Sequence, residues 1–68
     1  MLDISIEKEQ ERKAEEDAKK GRPAKGNAAI VRSMSPEFRS QTYLRKMAIY
    51  AYKAAYQAAK QRMNSGNG

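Results

Sequence analysis

The feature that most constrains this chain is a run of 28 residues, 36–63, that has no glycine and only one proline, at its first position. Ser35 and Pro36 are typical of a helix start, because serine is favoured at the N-cap and proline at the first helical position. Glu37 follows in the first turn, where the helix dipole stabilises a negative charge. The run therefore predicts one long amphipathic helix over 36–63, about 40 Å long at 1.5 Å per residue, with a flexible tail at 64–68.

One broad face of this predicted helix is apolar and rich in alanine and tyrosine. An apolar arc this wide is more than a lone helix exposes to water. Alanine lets another helix approach closely, and tyrosine fills the flanks while its hydroxyl reaches water. We therefore expect a helix-packing interface formed by Leu44, Met47, Ala51, Ala54, Ala55 and Ala58, with Tyr50, Tyr52 and Tyr56 at its edges.

A stripe of basic residues follows the same helix on another side. Its members are spaced by seven residues and share one narrow strip of the helical wheel: Arg39, Lys46, Lys53 and Lys60. A row of this kind is often no more than the solvated face of a helix. Basic residues that recur every two turns are also suited to follow the phosphates of a nucleic acid. Both interpretations stay open at this point.

The N-terminal part, 1–20, reads as a charged helical arm. Its strong helix formers place acids four residues before bases, as in Glu9 with Lys13 and Glu16 with Lys20. The short apolar start, 2–6, alternates apolar and polar residues as a strand does, and we expect it to be the arm's only anchor. Because the arm offers so little apolar surface, we expect the long helix to pack on copies of the chain or on another protein.

A basic linker with a small apolar segment, 21–35, joins the two parts. Within it, "NAAIVRSM" fits either one helical turn capped by Asn27 or a short extended piece. In the helical form, Ile30, Val31 and Met34 pack onto a neighbour. The complete pattern predicts an all-α fold with a charged N-terminal helix, a Gly/Pro linker and a long C-terminal helix, stabilised by oligomerisation or by a partner.

The segment "KKGRPAK", 19–25, resembles the AT-hook, a short motif with a Gly-Arg-Pro core between basic residues. In that family the core lies extended in the minor groove of AT-rich DNA. The resemblance implies that Arg22 enters the groove, that Gly21 and Pro23 set the shape, and that Lys19, Lys20 and Lys25 contact phosphates. The same letters also form a helix stop, because glycine suits the left-handed cap position and proline follows the end of a helix.

Charge and composition narrow the class of function. Residues 1–20 hold seven acids and five bases, whereas 21–68 hold nine bases and one acid, and the whole chain carries a net charge of +6. This asymmetry points to a polyanionic partner for the basic part. The chain has no cysteine and no histidine, so it lacks the usual bases, nucleophiles and zinc ligands. We predict a non-enzymatic protein with no metal, no cofactor and no small-molecule substrate.

The sequence predicts a protein of the cytoplasm, or one packaged in a particle assembled there. The N-terminal segment is not a secretory signal, and the longest uncharged stretch of the central part, 47–52, is too short to span a bilayer. We expect association with nucleic acid through Lys19, Lys20, Arg22, Lys25, Arg39, Lys46, Lys53 and Lys60, within a homo-oligomer or larger assembly. The alternatives are a structural or adaptor subunit, as in a virion, and an inhibitor of an acidic partner protein.

Overall fold

The structure, a computed structural model, describes the backbone of residues 2–66 and the side chains of residues 5–65. Within this part of the chain there are four helices and no strand: α1 (Leu2–Lys19), α2 (Asn27–Arg32), α3 (Pro36–Arg39) and α4 (Thr42–Gly66). The all-α class with a long C-terminal helix is confirmed. The alternating segment 2–6 is part of α1, so it forms a helix and not the strand that its pattern resembles.

Helix α1 ends in a glycine cap. Gly21 has a φ of 74°, in the left-handed region that glycine enters without strain. Its N–H donates to the carbonyl of Ala18 at 3.1 Å, and the N–H of Arg22 donates to the carbonyl of Asp17 at 2.9 Å. These two bonds form a Schellman motif. The predicted helix stop is therefore confirmed, with Pro23 following it.

After this cap the chain turns back along α1. Gln10 Nε2 donates to Ser33 Oγ at 3.4 Å and Lys13 Nζ donates to the carbonyl of Ser33 at 3.0 Å. Lys25, eight residues earlier than Ser33, contacts Asp17, which lies further along α1. The segment from the glycine cap to Ser33 therefore runs antiparallel to α1.

The linker segment that the sequence left undecided is helical. Gly26, with φ −77° and ψ 172°, is the N-cap of α2, so the expected cap at Asn27 is displaced by one residue. Ile30 and Met34 are buried, and Val31 is half-buried. The apolar segment thus packs onto its neighbours as expected, in its helical form.

The predicted helix over 36–63 is divided into α3 and α4 by a break at residues 40–41. An unbroken helix would bond the carbonyl of Arg39 to the amide four residues later. Here that carbonyl accepts a hydrogen bond from Nη1 of Arg45 at 2.8 Å. No glycine or proline marks this break, and a side chain compensates the lost backbone bond. At its other end α4 continues to Gly66, beyond the predicted stop, so most of the expected tail is helical and residues 67–68 lie outside the described part.

The segment that runs antiparallel to α1 is also antiparallel to α4, because Lys25 contacts Tyr52 and Arg22, three residues earlier, contacts Tyr56. Helix α4 therefore runs in the same direction as α1. Near the end of α1, Asp17 contacts Tyr52 at 2.6 Å and Glu15 contacts Arg62 at 3.7 Å. The side chains of residues 61–65 are exposed because α4 extends past the end of α1. None of the described helices combines the length and the apolar character needed to cross a membrane.

The core lies between α1 and α4 and is closed on one side by α2. Its buried members are Ile6, Ala14, Ile30, Met34, Leu44, Ala48 and Tyr52. Ala14 and Ala18 are completely buried, and so are the polar residues Gln10 and Asp17, to within a few per cent. The expectation that the apolar start alone anchors the arm is therefore wrong: α1 docks on α4 along its length. The side chains of residues 2–4 lie outside the described part.

Candidate nucleic-acid interface

A buried carboxylate holds the linker against both long helices. The side chain of Asp17, 4% exposed, accepts three hydrogen bonds. Tyr52 Oη donates to Oδ2 at 2.6 Å, Lys25 Nζ donates to Oδ2 at 3.0 Å, and Arg22 Nη1 donates to Oδ1 at 2.9 Å. Tyr52 Oη also accepts the backbone N–H of Lys25 at 3.1 Å. We call these four residues the Asp17 cluster.

The protonation of the cluster follows from its contacts. Burial of the Asp17 carboxylate opposes its charged form, but the hydrogen bonds from Tyr52, Lys25 and Arg22 outweigh burial, so the pKa of Asp17 lies below its usual value. Burial of Tyr52, and then its hydrogen bond to Asp17, raise the pKa of that phenol to about 12. At neutral pH the cluster therefore contains a carboxylate, a neutral phenol and two cations.

Basic residues from two separate segments surround a pair of tyrosine rings. Tyr52 and Tyr56 stack with their centroids 6.1 Å apart and their planes at 19°. Lys25 Nζ lies 5.5 Å from the centroid of Tyr52, and Lys60 Nζ lies 5.7 Å from that of Tyr56. The Tyr56 hydroxyl donates to the carbonyl of Arg22. The tyrosine pair thus fixes the linker beside the lysines of α4.

Between the linker and α4 there is a shallow depression of about 400 Å³, lined by Ala24, Lys25, Lys53, Tyr56 and Gln57. Lys53 comes from the predicted stripe and Lys25 from the predicted linker contacts, so the fold brings together residues that are 28 positions apart. We call the surface formed by Arg22, Lys25, Lys53 and Lys60 the basic face.

The other predicted phosphate contacts are placed unevenly around the molecule. Lys46 is exposed on α4. Lys19 and Lys20 are exposed at the end of α1, where Lys20 pairs with Glu16 at 3.0 Å. Arg39 lies on α3, separated from the stripe by the break, and is half-buried. The stripe on α4 therefore consists of three lysines, and Arg39 does not continue it.

The predicted helix-packing interface divides into a covered part and an open part. Leu44, Ala51 and Tyr52 are buried, and Met47, Ala55 and Tyr56 are half-buried. The exposed members are Tyr50, Ala54 and Ala58. The covered part packs within the chain, chiefly on α1, which the sequence did not indicate. The open part is a surface that intramolecular packing leaves unused.

The open part borders an acidic groove of about 350 Å³ between α1 and α4. One wall carries Glu7, Glu11 and Glu15, and the other consists of Tyr50, Ala51, Ala54 and Ala55. Helical residues advance by about 100° each, which places these α4 residues on the opposite flank from the basic face. Within the described residues no three acids lie close enough together to hold a metal ion. The molecule is therefore polarised, with acids on one flank of α4 and bases on the other.

Two buried polar residues, Asp17 and Gln10, were missed among the candidate residues. Together with Ile6, Ala14 and Ala18 they recur every three or four residues on one face of α1. A polar residue within such a row is buried if the row packs, and it then requires a partner. The spacing of these residues along α1 was the sequence signal for the burial of Asp17 and Gln10.

Comparison with family models, with curated proteins and with solved structures finds no match to this chain.

Proposed function

We propose that this chain is a small non-enzymatic protein that binds nucleic acid through phosphate contacts on its basic face. The observation that carries the proposal is the convergence of linker and α4 bases around the tyrosine pair. Phosphate backbones attract such clusters because neutralising each phosphate releases condensed counterions. We place this activity in the cytoplasm, or in a particle assembled there.

The contacts favour phosphate binding over base recognition. Tyr52 is completely buried, so its ring is not offered to an unpaired base. Arg22 is engaged by Asp17, although 53% of its side chain is exposed and the bond uses one of the five donors of a guanidinium. Entry of Arg22 into a minor groove, as the AT-hook resemblance implies, requires it to leave Asp17. We therefore expect weak dependence on sequence.

Fluorescence anisotropy with short labelled duplex and single-stranded oligonucleotides tests the proposal. We expect binding that weakens steeply between roughly 50 and 200 mM salt, with a log–log slope of about −0.9 for each duplex phosphate neutralised. The double variant Lys53→Gln/Lys60→Gln should make this slope less steep, by the amount that corresponds to about two neutralised phosphates. The matched control is Lys8→Gln/Arg12→Gln, which removes the same charge from exposed positions of α1.

Two results would contradict the proposal. One is the absence of binding to either oligonucleotide at the lowest salt. The other is an equal loss of affinity in the control pair, because binding would then depend on net charge and not on the basic face.

A second candidate function, a structural or adaptor subunit of a multi-copy particle, is favoured by the open Tyr50, Ala54 and Ala58 surface. In that role the α4 surface packs into an assembly without contact to nucleic acid. The sedimentation behaviour of the purified protein distinguishes the two, since only the second function requires association of the chain when nucleic acid is absent.

A further inference from the structure

One side of α4 carries a continuous row of apolar residues, of which Tyr43, Tyr50, Ala54 and Ala58 are exposed and Met47 is half-buried. Tyr43, Met47, Tyr50, Ala54 and Ala58 follow one another at intervals of three or four, so they share one line along the helix. Tyr43 is 56% exposed and Tyr50 is 76% exposed, so two large side chains of this line lie open to solvent. We call this line the Tyr/Ala row. Its alanines permit a close approach by another helix.

The two flanks of the row carry opposite charges over the same length of α4. The carboxylates of Glu7, Glu11 and Glu15 on α1 border residues 50–55 on one flank. On the other flank, Lys46 and Lys53 are exposed at the corresponding level. A partner that covers the row therefore meets acids on one side and bases on the other.

This charge pattern is complementary to itself in one orientation. A two-fold axis parallel to α4 places two rows face to face and sets the acidic flank of each copy opposite the lysine flank of the other. An axis perpendicular to α4 would make the helices antiparallel and would oppose acids to acids, which is unfavourable. Because the parallel arrangement is isologous, it closes after two copies.

We propose that the chain forms a two-fold homodimer through the Tyr/Ala row, with the two α4 helices side by side in the same direction. Lys46 and Lys53 of each copy then face the Glu7 and Glu11 carboxylates of the other. This interface specifies the contact for the second candidate function, and it does not depend on nucleic-acid binding, since it forms in the protein alone.

Sedimentation equilibrium without nucleic acid tests the interface. The natural sequence should dimerise over a roughly hundredfold range of protein concentration, whereas Ala54→Glu should be at least about tenfold weaker in dimerisation. Ala28→Glu is the matched control, because it makes the same substitution at an exposed position of α2, off the row. Circular dichroism of Ala54→Glu should match the natural protein, since residue 54 is exposed.

Charge exchange tests the orientation of the flanks. The variants Glu7→Lys/Glu11→Lys and Lys46→Glu/Lys53→Glu should each dimerise more weakly than the natural protein, because like charges then face each other. Mixed together, they should form a heterodimer in which both flanks are complementary again. Failure of the mixture to associate would overturn the charge pairing.

Cysteine cross-linking tests the parallel direction, and the chain has no cysteine of its own. In a parallel dimer every residue of the row faces its own copy, so Ala54→Cys and Ala58→Cys should both form intermolecular disulfides readily. In an antiparallel dimer only a position at the axis does so. The proposal is overturned by a chain that stays monomeric at every concentration, by a dimer insensitive to Ala54→Glu, or by cross-linking at one position only.

Discussion

Replacement of Tyr52 by phenylalanine isolates the contribution of the Asp17 cluster to stability. The ring of Tyr52 is completely buried and stacks on Tyr56, and phenylalanine keeps this packing. Only the hydroxyl is removed, together with its bond to Asp17 at 2.6 Å and its acceptance of the Lys25 backbone N–H at 3.1 Å. The change therefore tests the polar contacts alone.

The size of the effect follows from the kind of bond. A hydrogen bond to a charged group contributes about 1.5–3 kcal/mol, and exposed ion pairs contribute less. Asp17 keeps its bonds from Arg22 and Lys25, so its charge stays compensated. We expect Tyr52→Phe to lower the free energy of unfolding by about 2 kcal/mol. In a chain of this size that corresponds to a fall in Tm of roughly 8–16 °C.

Urea denaturation followed by circular dichroism at neutral pH measures this difference, at a protein concentration where both proteins are monomeric. Tyr50→Phe is the matched control, because Tyr50 lies on the same helix and is 76% exposed. Its effect should stay within about 0.5 kcal/mol. Equal effects of the two substitutions, or a loss below that limit in Tyr52→Phe, would refute the role assigned to the cluster.

The same variant should also differ from the natural protein in how its stability changes at alkaline pH. The pKa of Tyr52 is raised from 10.0 to about 12, so the native state holds this proton while the unfolded state releases it. The contribution of Tyr52 is therefore complete below pH 10 and is lost as the pH rises towards 12. Tyr52→Phe should lose less stability over this interval than the natural protein does. A parallel decline of the two proteins would contradict the shift.

Three further substitutions test the packing of α1. Because the pKa of Asp17 is lowered, its contribution is complete above the ordinary aspartate pKa of about 3.9 and is lost as the pH falls, so Asp17→Asn should show a shallower acid-denaturation curve by circular dichroism. Gln10→Met should raise the free energy of unfolding by about 1 kcal/mol, because the buried Gln10 has one long hydrogen bond and an Oε1 without a partner among the described residues. Gly21→Ala should lower it by about 1 kcal/mol, measured by urea denaturation, since a Cβ there meets no atom within 4 Å and the cost is that of the left-handed backbone alone.

Local signals in the sequence were sufficient for the helix ends that depend on glycine and proline. The stop at Gly21 and the start at Pro36 appear in the structure at the predicted positions. Two of the ion pairs expected at helical spacing also form, Glu9 with Lys13 at 3.4 Å and Glu16 with Lys20. Such features are predictable because each involves residues within about one helical turn.

The division between α3 and α4 was not predictable from breakers, because residues 40–41 are serine and glutamine. What permits the break is a side chain six residues further along, Arg45, whose guanidinium bonds the carbonyl of Arg39 at 2.8 Å. The Asp17 cluster is less local still, since Asp17 and Tyr52 are 35 positions apart. A single sequence does not reveal which acid meets which tyrosine until the path of the linker is known.

The small apolar area of α1 is a poor guide to how well this helix packs on α4. Over most of its length, α1 offers only small apolar residues to α4. Ala14 and Ala18 nevertheless become completely buried, because small side chains bring the helix backbones close together. The buried carboxylate of Asp17 on that face is tolerated because it is bonded by three partners from the linker and α4.

The two basic residues of the linker consequently have competing demands. Arg22 and Lys25 stabilise the fold by compensating a carboxylate that is only 4% exposed, and loss of both would leave that charge buried without cationic partners. A phosphate that took either base from Asp17 would cost stability in the linker, whereas Lys53 carries no such cost because it is exposed on α4. The proposed phosphate binding therefore requires that the lysines of α4 contribute most of the charge and that the linker bases share their remaining donors.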